Sequence, residues 1–189
     1  MSASRDLDRR GFLGAGAAAG LAASAAAAEP AKKVRVGVIG CGSVSNQYLP
    51  HLSKSPHVEL VSTCDLVPER AKGQAERFKV PNHYPHIDKM LAGAAFDLLV
   101  NLTDMQEHER LNRQAVAAGK HVWSEKPLAN SLAAGRELLE AATAKGVRIW
   151  GAPAMVVSPQ FAFMAKALAA GALGRPAAAH ADYGHTGPD

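Results

Sequence analysis

Apolar and polar positions follow two rhythms along this chain, and the rhythms exchange at regular intervals from Val34 onward. Val34, Val36, Val38 and Ile39 form a short β-branched run without helical period, which predicts a buried parallel strand ending at Gly40. Tyr48, Leu49 and Leu52 then share one face of a helix expected over 45–53, which Pro50 is expected to shorten or bend. Residues 58–64 predict a second buried strand. Pro68 opens a helix with Ala71, Ala75 and Phe78 along one side, and Pro81 closes it. The polar, proline-bounded stretch 81–86 reads as turns leading to a short helix over 87–91. Strands are expected at 96–102, 121–124 and 147–150, alternating with helices at 107–118, 131–145 and 158–170. Gly119 and Gly171 stop two of those helices, and Ser158-Pro159 starts the last. Residues 176–185 then read as one further strand.

Strand and helix alternating at these lengths specify an α/β class, a Rossmann-type doubly wound parallel sheet with helices on both faces. Residues 31–152 form that domain, and 153–189 read as the truncated start of an α+β substrate domain. In such sheets ligands bind beyond the carboxyl ends of the strands. Gly42, Asp65, Thr103 and Glu125 all fall at such ends.

The most informative of these ends is Gly40-Cys41-Gly42-Ser43-Val44-Ser45. Gly40 allows a tight turn and Gly42 a close approach of pyrophosphate to the backbone, while the following helix offers free N–H groups and a positive dipole end. Gly40, Gly42, Ser43 and Val44 are therefore the expected phosphate-binding turn. Ser45 stands where the fingerprint has a third glycine, and is small enough for close helix packing. Asp65, at the end of the second strand, is placed to accept hydrogen bonds from both hydroxyls of an adenosine ribose and to repel a 2′-phosphate. NAD is the expected cofactor over NADP, with Arg70 the one nearby cation able to turn toward a phosphate.

Composition narrows the picture further. The 189 residues carry a formal charge of +4, with basic and acidic residues interspersed. No basic run and few aromatic residues are present, so nucleic acid is not an expected partner. His83 and His86 lack nearby carboxylate or thiol partners in sequence and read as loop histidines rather than metal ligands. Cys41 and Cys64 end neighbouring strands and read as buried free thiols. Residues 1–28 stand apart: Arg9-Arg10-Gly11-Phe12-Leu13 precedes an uncharged Ala/Gly-rich stretch ending at Ala26-Ala27-Ala28. This pattern predicts a cleavable twin-arginine export signal, engagement of that export machinery, and a periplasmic or otherwise exported protein.

Taken together, the glycine turn, Cys64-Asp65, the stretch from Asn101 to His108, and Gly119-Lys120-His121-Val122-Trp123-Ser124-Glu125-Lys126-Pro127 resemble the Gfo/Idh/MocA oxidoreductases. The resemblance implies that Lys126 lies beside the nicotinamide and the substrate hydroxyl, where an amine passes a proton while hydride leaves the same carbon. It places Glu125 next to the nicotinamide ribose, adds Thr103 and His108 to the cofactor site, and implies a cis Lys126-Pro127 bond. It implies hydride transfer with a sugar, cyclitol or polyol derivative. Two alternatives go with it: a glycosidase using NAD for transient oxidation, and a dinucleotide-binding fragment without turnover. The pattern departs from the family at Asp104-Met105, where Pro-Asn is common, and at 155–159, where an arginine before Phe-x-Pro is common. The resemblance also implies a mostly antiparallel second domain that supplies further catalytic residues and joins homo-oligomers, so the chain reads as part of a longer enzyme.

Overall fold

The computed structural model describes residues 32–152, 158–180 and 182. The expected export signal and the 153–157 and 183–189 stretches lie outside the described residues, as do Tyr183, His185 and Asp189.

From Val34 onward the chain builds one six-stranded sheet, every strand parallel to its neighbours, in the order β3-β2-β1-β4-β5-β6. The strands are β1 (Val34–Ile39), β2 (Val58–Cys64), β3 (Asn82–Tyr84), β4 (Leu98–Asn101), β5 (His121–Ser124) and β6 (Ile149–Gly151). The helices are α1 (Ser45–Leu52), α2 (Pro68–Phe78), α3 (Ile87–Ala92), α4 (His108–Ala117), α5 (Leu132–Ala144) and α6 (Pro159–Ala169). The order reverses between β1 and β4, so the loops leaving those two strands part toward opposite faces and open a crevice between them.

Alternation along β1 explains the layers. Val36 and Val38 point to one face, where Leu49 of α1, Val100 and Leu102 join them, with Phe78 of α2 and Trp123 packed alongside. Ile39 belongs to the opposite face with Leu99 and Val122, covered by Ile87 and Met90 of α3, Leu111 and Ala115 of α4, and Leu138 of α5. Both faces of the sheet are thus dry, which is why its strands read as continuous apolar runs rather than alternating ones.

Three local differences from the sequence reading have physical causes. Residues 82–84, read as turn, form the edge strand β3, because the open side of β2 supplies backbone partners from Ser62 to Cys64. The Asn82 amide adds a bond to the Val61 carbonyl at 2.9 Å. The fourth strand is shorter than expected, with Phe96 and Asp97 leading into it, and Asp97 holds the Arg35 guanidinium at 2.7 Å. The described part of 176–185 has no regular secondary structure, and among the described residues no strand pairs with it. Pro50 is accommodated inside α1, and Ser131 and Ser158 cap α5 and α6 through their hydroxyls. No residue of α6 is buried, and Phe161, Phe163 and Met164 are exposed on it.

Candidate functional site

The glycine turn is fixed before any ligand enters it. Gly40 has φ +88°, and a Cβ there would stand 2.5 Å from the Leu102 carbonyl carbon and 2.6 Å from the Thr103 nitrogen. Only glycine satisfies both constraints, so the ends of β1 and β4 touch at this point. Gly42 is the reverse case: a Cβ there would meet nothing within 4 Å, so the turn faces open space. Ser45, fully buried, does more than fill the third-glycine position. Its hydroxyl donates to the Gly42 carbonyl at 2.6 Å and accepts the Gln74 amide at 3.1 Å, tying the turn to α2. The N–H groups of Ser45, Asn46 and Gln47 bond back to Gly42, Ser43 and Val44. Among the described residues the amides of Gly42, Ser43 and Val44 have no protein acceptor, which leaves them for an anion.

Asp65 closes the other side of the turn. Its Oδ2 accepts the Cys41 N–H at 2.7 Å and its Oδ1 the Val67 N–H at 2.8 Å. Two main-chain donors lock the carboxylate in one orientation, and each oxygen keeps capacity to accept a further hydrogen bond. A cavity of about 360 Å³ begins there, lined by Gly42, Asp65, Arg70, Leu102, Thr103 and Asp104 among others. That is the size of a small-ligand pocket. A tight turn with a bare face, unpaired amides and an oriented carboxylate beside a cavity fit the adenosine and pyrophosphate of a dinucleotide. Arg70 shares the wall with Asp65, the position from which it would meet a 2′-phosphate. Asp104 lies on the same wall, and Met105 is exposed beyond it.

The loop after β5 lies further along the same carboxyl edge of the sheet, beside the loop after β4. The Lys126-Pro127 bond is cis, as the resemblance implied. Glu125 accepts the Tyr48 hydroxyl at Oε1 and the Lys126 N–H at Oε2, the latter at 3.1 Å. Lys126 is exposed, and among the described residues its ammonium pairs with no carboxylate.

His108 takes a different place from the one expected. It is 1% exposed, with Nδ1 at 2.7 Å from the Pro127 carbonyl and Nε2 at 2.8 Å from the Thr103 carbonyl. Both ring nitrogens are used by main-chain oxygens, so His108 ties the two loops together behind the crevice rather than presenting a polar atom to a cofactor. Thr103 is half-buried, and its hydroxyl donates to Asn101 Oδ1 at 2.7 Å. Behind it runs a buried chain of amides. Asn101 donates to Asn112 Oδ1 at 2.9 Å, and Asn112 donates to the Ser124 hydroxyl and the Leu128 carbonyl, each at 3.0 Å.

Asn101, Asn112 and Ser124 carry little sequence signal of their own. Their one signal is a polar residue closing each of two apolar strands and an asparagine on the apolar face of α4. The sequence marks Tyr48 only as part of an apolar helix face.

A six-stranded sheet of this order, with a phosphate-ready turn and an oriented aspartate at its switch point, defines a dinucleotide-binding domain. The family it belongs to follows from comparison: residues 34–152 match the model of the Gfo/Idh/MocA oxidoreductase family, NAD-binding Rossmann fold, and the chain is a member of that family. The cofactor expected from the residues, NAD, is the one this family's domain binds. The chain is 31% identical to inositol 2-dehydrogenase of Acidothermus cellulolyticus over 151 residues, covering 79% of this chain and 44% of that protein. It is 28% identical to D-apiose dehydrogenase of Paraburkholderia graminis, covering 77% of this chain and 39% of that one. Among solved structures, the WlbA dehydrogenase of Bordetella pertussis, crystallised with NADH and UDP-GlcNAcA, superposes with a TM-score of 0.71 at 28% identity over 76% of this chain and 44% of that one. The chain thus spans less than half the length of these relatives.

Proposed function

We propose that this domain serves a dehydrogenase that exchanges hydride between a hydroxyl-bearing carbon of a sugar or cyclitol and NAD, with Lys126 handling the hydroxyl proton. The observation that carries the reading is the convergence of the glycine turn, Asp65, Thr103 and Glu125-Lys126 at one edge of a parallel sheet. NAD, when bound, accepts or returns the hydride. The amides of Gly42, Ser43 and Val44 neutralise pyrophosphate charge, and Asp65 receives the adenosine ribose hydroxyls. Glu125 stands at the nicotinamide ribose. Lys126 Nζ takes the proton of the substrate hydroxyl as the carbon loses hydride, and returns it in the reverse direction. Relatives named for inositol and D-apiose support a polyhydroxylated substrate. The paired arginines and small-residue stretch of 1–28 support export by the twin-arginine route.

Calorimetric titration of the chain and its Asp65→Ala variant with NAD and NADP tests the cofactor site. The wild type should bind NAD more tightly than NADP, and removing two charge-assisted hydrogen bonds should weaken NAD by at least about tenfold. No NAD binding by the wild type, or equal affinity in the variant, overturns the reading.

A further inference from the structure

Tyr48 sits on α1, the helix that follows the phosphate turn, yet its hydroxyl reaches Glu125 after β5, 77 residues away in sequence. Its ring packs beside Trp123 against the core formed by Val36, Val38 and Leu49. A phenylalanine would serve that packing equally well, so the hydroxyl needs its own account. The Glu125 carboxylate is half-buried, and its second oxygen is taken by the Lys126 N–H at 3.1 Å. With both oxygens held, it is confined to one rotamer beside the lysine. A neutral hydroxyl donating to a carboxylate makes a charge-assisted bond, stronger than one between neutral groups. The tyrosine keeps its proton firmly: burial above all, then the Glu125 carboxylate, push it up to about 12, against an opposing influence from Trp123.

We propose that Tyr48 is a positioning residue for the nicotinamide half of the cofactor, locking the Glu125 carboxylate and so fixing the distance between the phosphate turn and the loop that carries Lys126. The proposal rests on the reading above, in which Glu125 faces the nicotinamide ribose. NAD spans both elements, whereas ADP reaches only the turn and Asp65. The two ligands therefore separate a positioning role from a general weakening of α1.

The experiment is calorimetry of the full chain with NAD and with ADP, for wild type, Tyr48→Phe and Glu125→Gln, with thermal unfolding as the check on folding. The expected result is that Tyr48→Phe weakens NAD by about fivefold or more while ADP changes by less than about twofold. Glu125→Gln should reproduce that loss, and the double variant should lose little more than either single one. Equal weakening of both ligands would make Tyr48 a packing residue of α1 and overturn the proposal, as would unchanged NAD affinity in Tyr48→Phe. If the wild type binds ADP and NAD alike, Glu125 does not face the ribose and the proposal falls while the adenosine site stands. If it binds neither, the cofactor-site reading falls and takes the proposal with it.

Discussion

A thiol or phenol set against the carboxyl end of a parallel sheet is held neutral by two causes of different reach. Burial acts on Cys41 and Cys64 first, and the Asp65 carboxylate adds to it, so both thiols are pushed up to about 12. Tyr48 reaches about 12 by burial and by Glu125. Raised pKa values of this kind fix the sign of a stability profile. Below about pH 9 the folded and unfolded chains both keep these protons, and the stabilising contribution is complete. As pH climbs from there toward 12, the unfolded chain releases them first, so it binds fewer protons than the native state and stability falls. Urea midpoints measured between about pH 8 and pH 11 should therefore decline, and the decline should be shallower in a Cys41→Ala, Cys64→Ala, Tyr48→Phe variant. Identical slopes in the two proteins would show that other groups carry the alkaline sensitivity. The same inertness answers for the cysteines: with their thiols buried and neutral, they pack the turn rather than react.

At the scale of elements, the crevice depends on how α4, β4 and β5 are joined. Asn112 of α4 is fully buried and serves three partners, Asn101, Ser124 and the Leu128 carbonyl. Asn112→Leu keeps the branch at Cγ, is bulkier, and leaves those groups unsatisfied in a dry site; it should cost about 2–4 kcal/mol in urea unfolding, a loss under about 0.5 kcal/mol speaking against a shared network. Little of this was legible in the sequence. β1, β2 and β5 have the boundaries their apolar runs suggested, because each run ends at a residue that the turn chemistry demands, as Gly40 does after Ile39. β3 is not legible because its three residues, Asn82, His83 and Tyr84, carry no apolar rhythm and owe their conformation to the edge of β2. β6 begins two residues later than its apolar run, at a register set by Trp123 facing Trp150. Gly40, Gly42 and Asp65 were readable because the backbone geometry they serve is local. His108, Tyr48 and Asn112 act through partners as far as 19, 77 and 16 residues away, and spacing along the chain does not encode such pairings.

For the molecule as a whole, the domain and the export signal proposed for residues 1–28 make one joint demand. The cavity beside the glycine turn is lined by residues from the loops after β1, β2 and β4, so it exists only once those strands have paired. A protein that takes up NAD in the cytoplasm and works outside it must cross the membrane folded, which the twin-arginine route permits and which Arg9 and Arg10 at the start of an Ala/Gly-rich stretch would request. The loss of that request has a defined signature. In a bacterium with a functional twin-arginine system, the wild-type chain should fractionate with the periplasm and be shortened at Ala28, with Glu29 as its new first residue. An Arg9→Lys, Arg10→Lys variant should stay in the cytoplasm at full length with its NAD affinity intact, because neither arginine lies within residues 34–152, which match the family's NAD-binding domain. Unchanged partition of that variant would reject the export reading while leaving the dinucleotide site untouched. Export with loss of bound NAD would instead place cofactor loading after translocation.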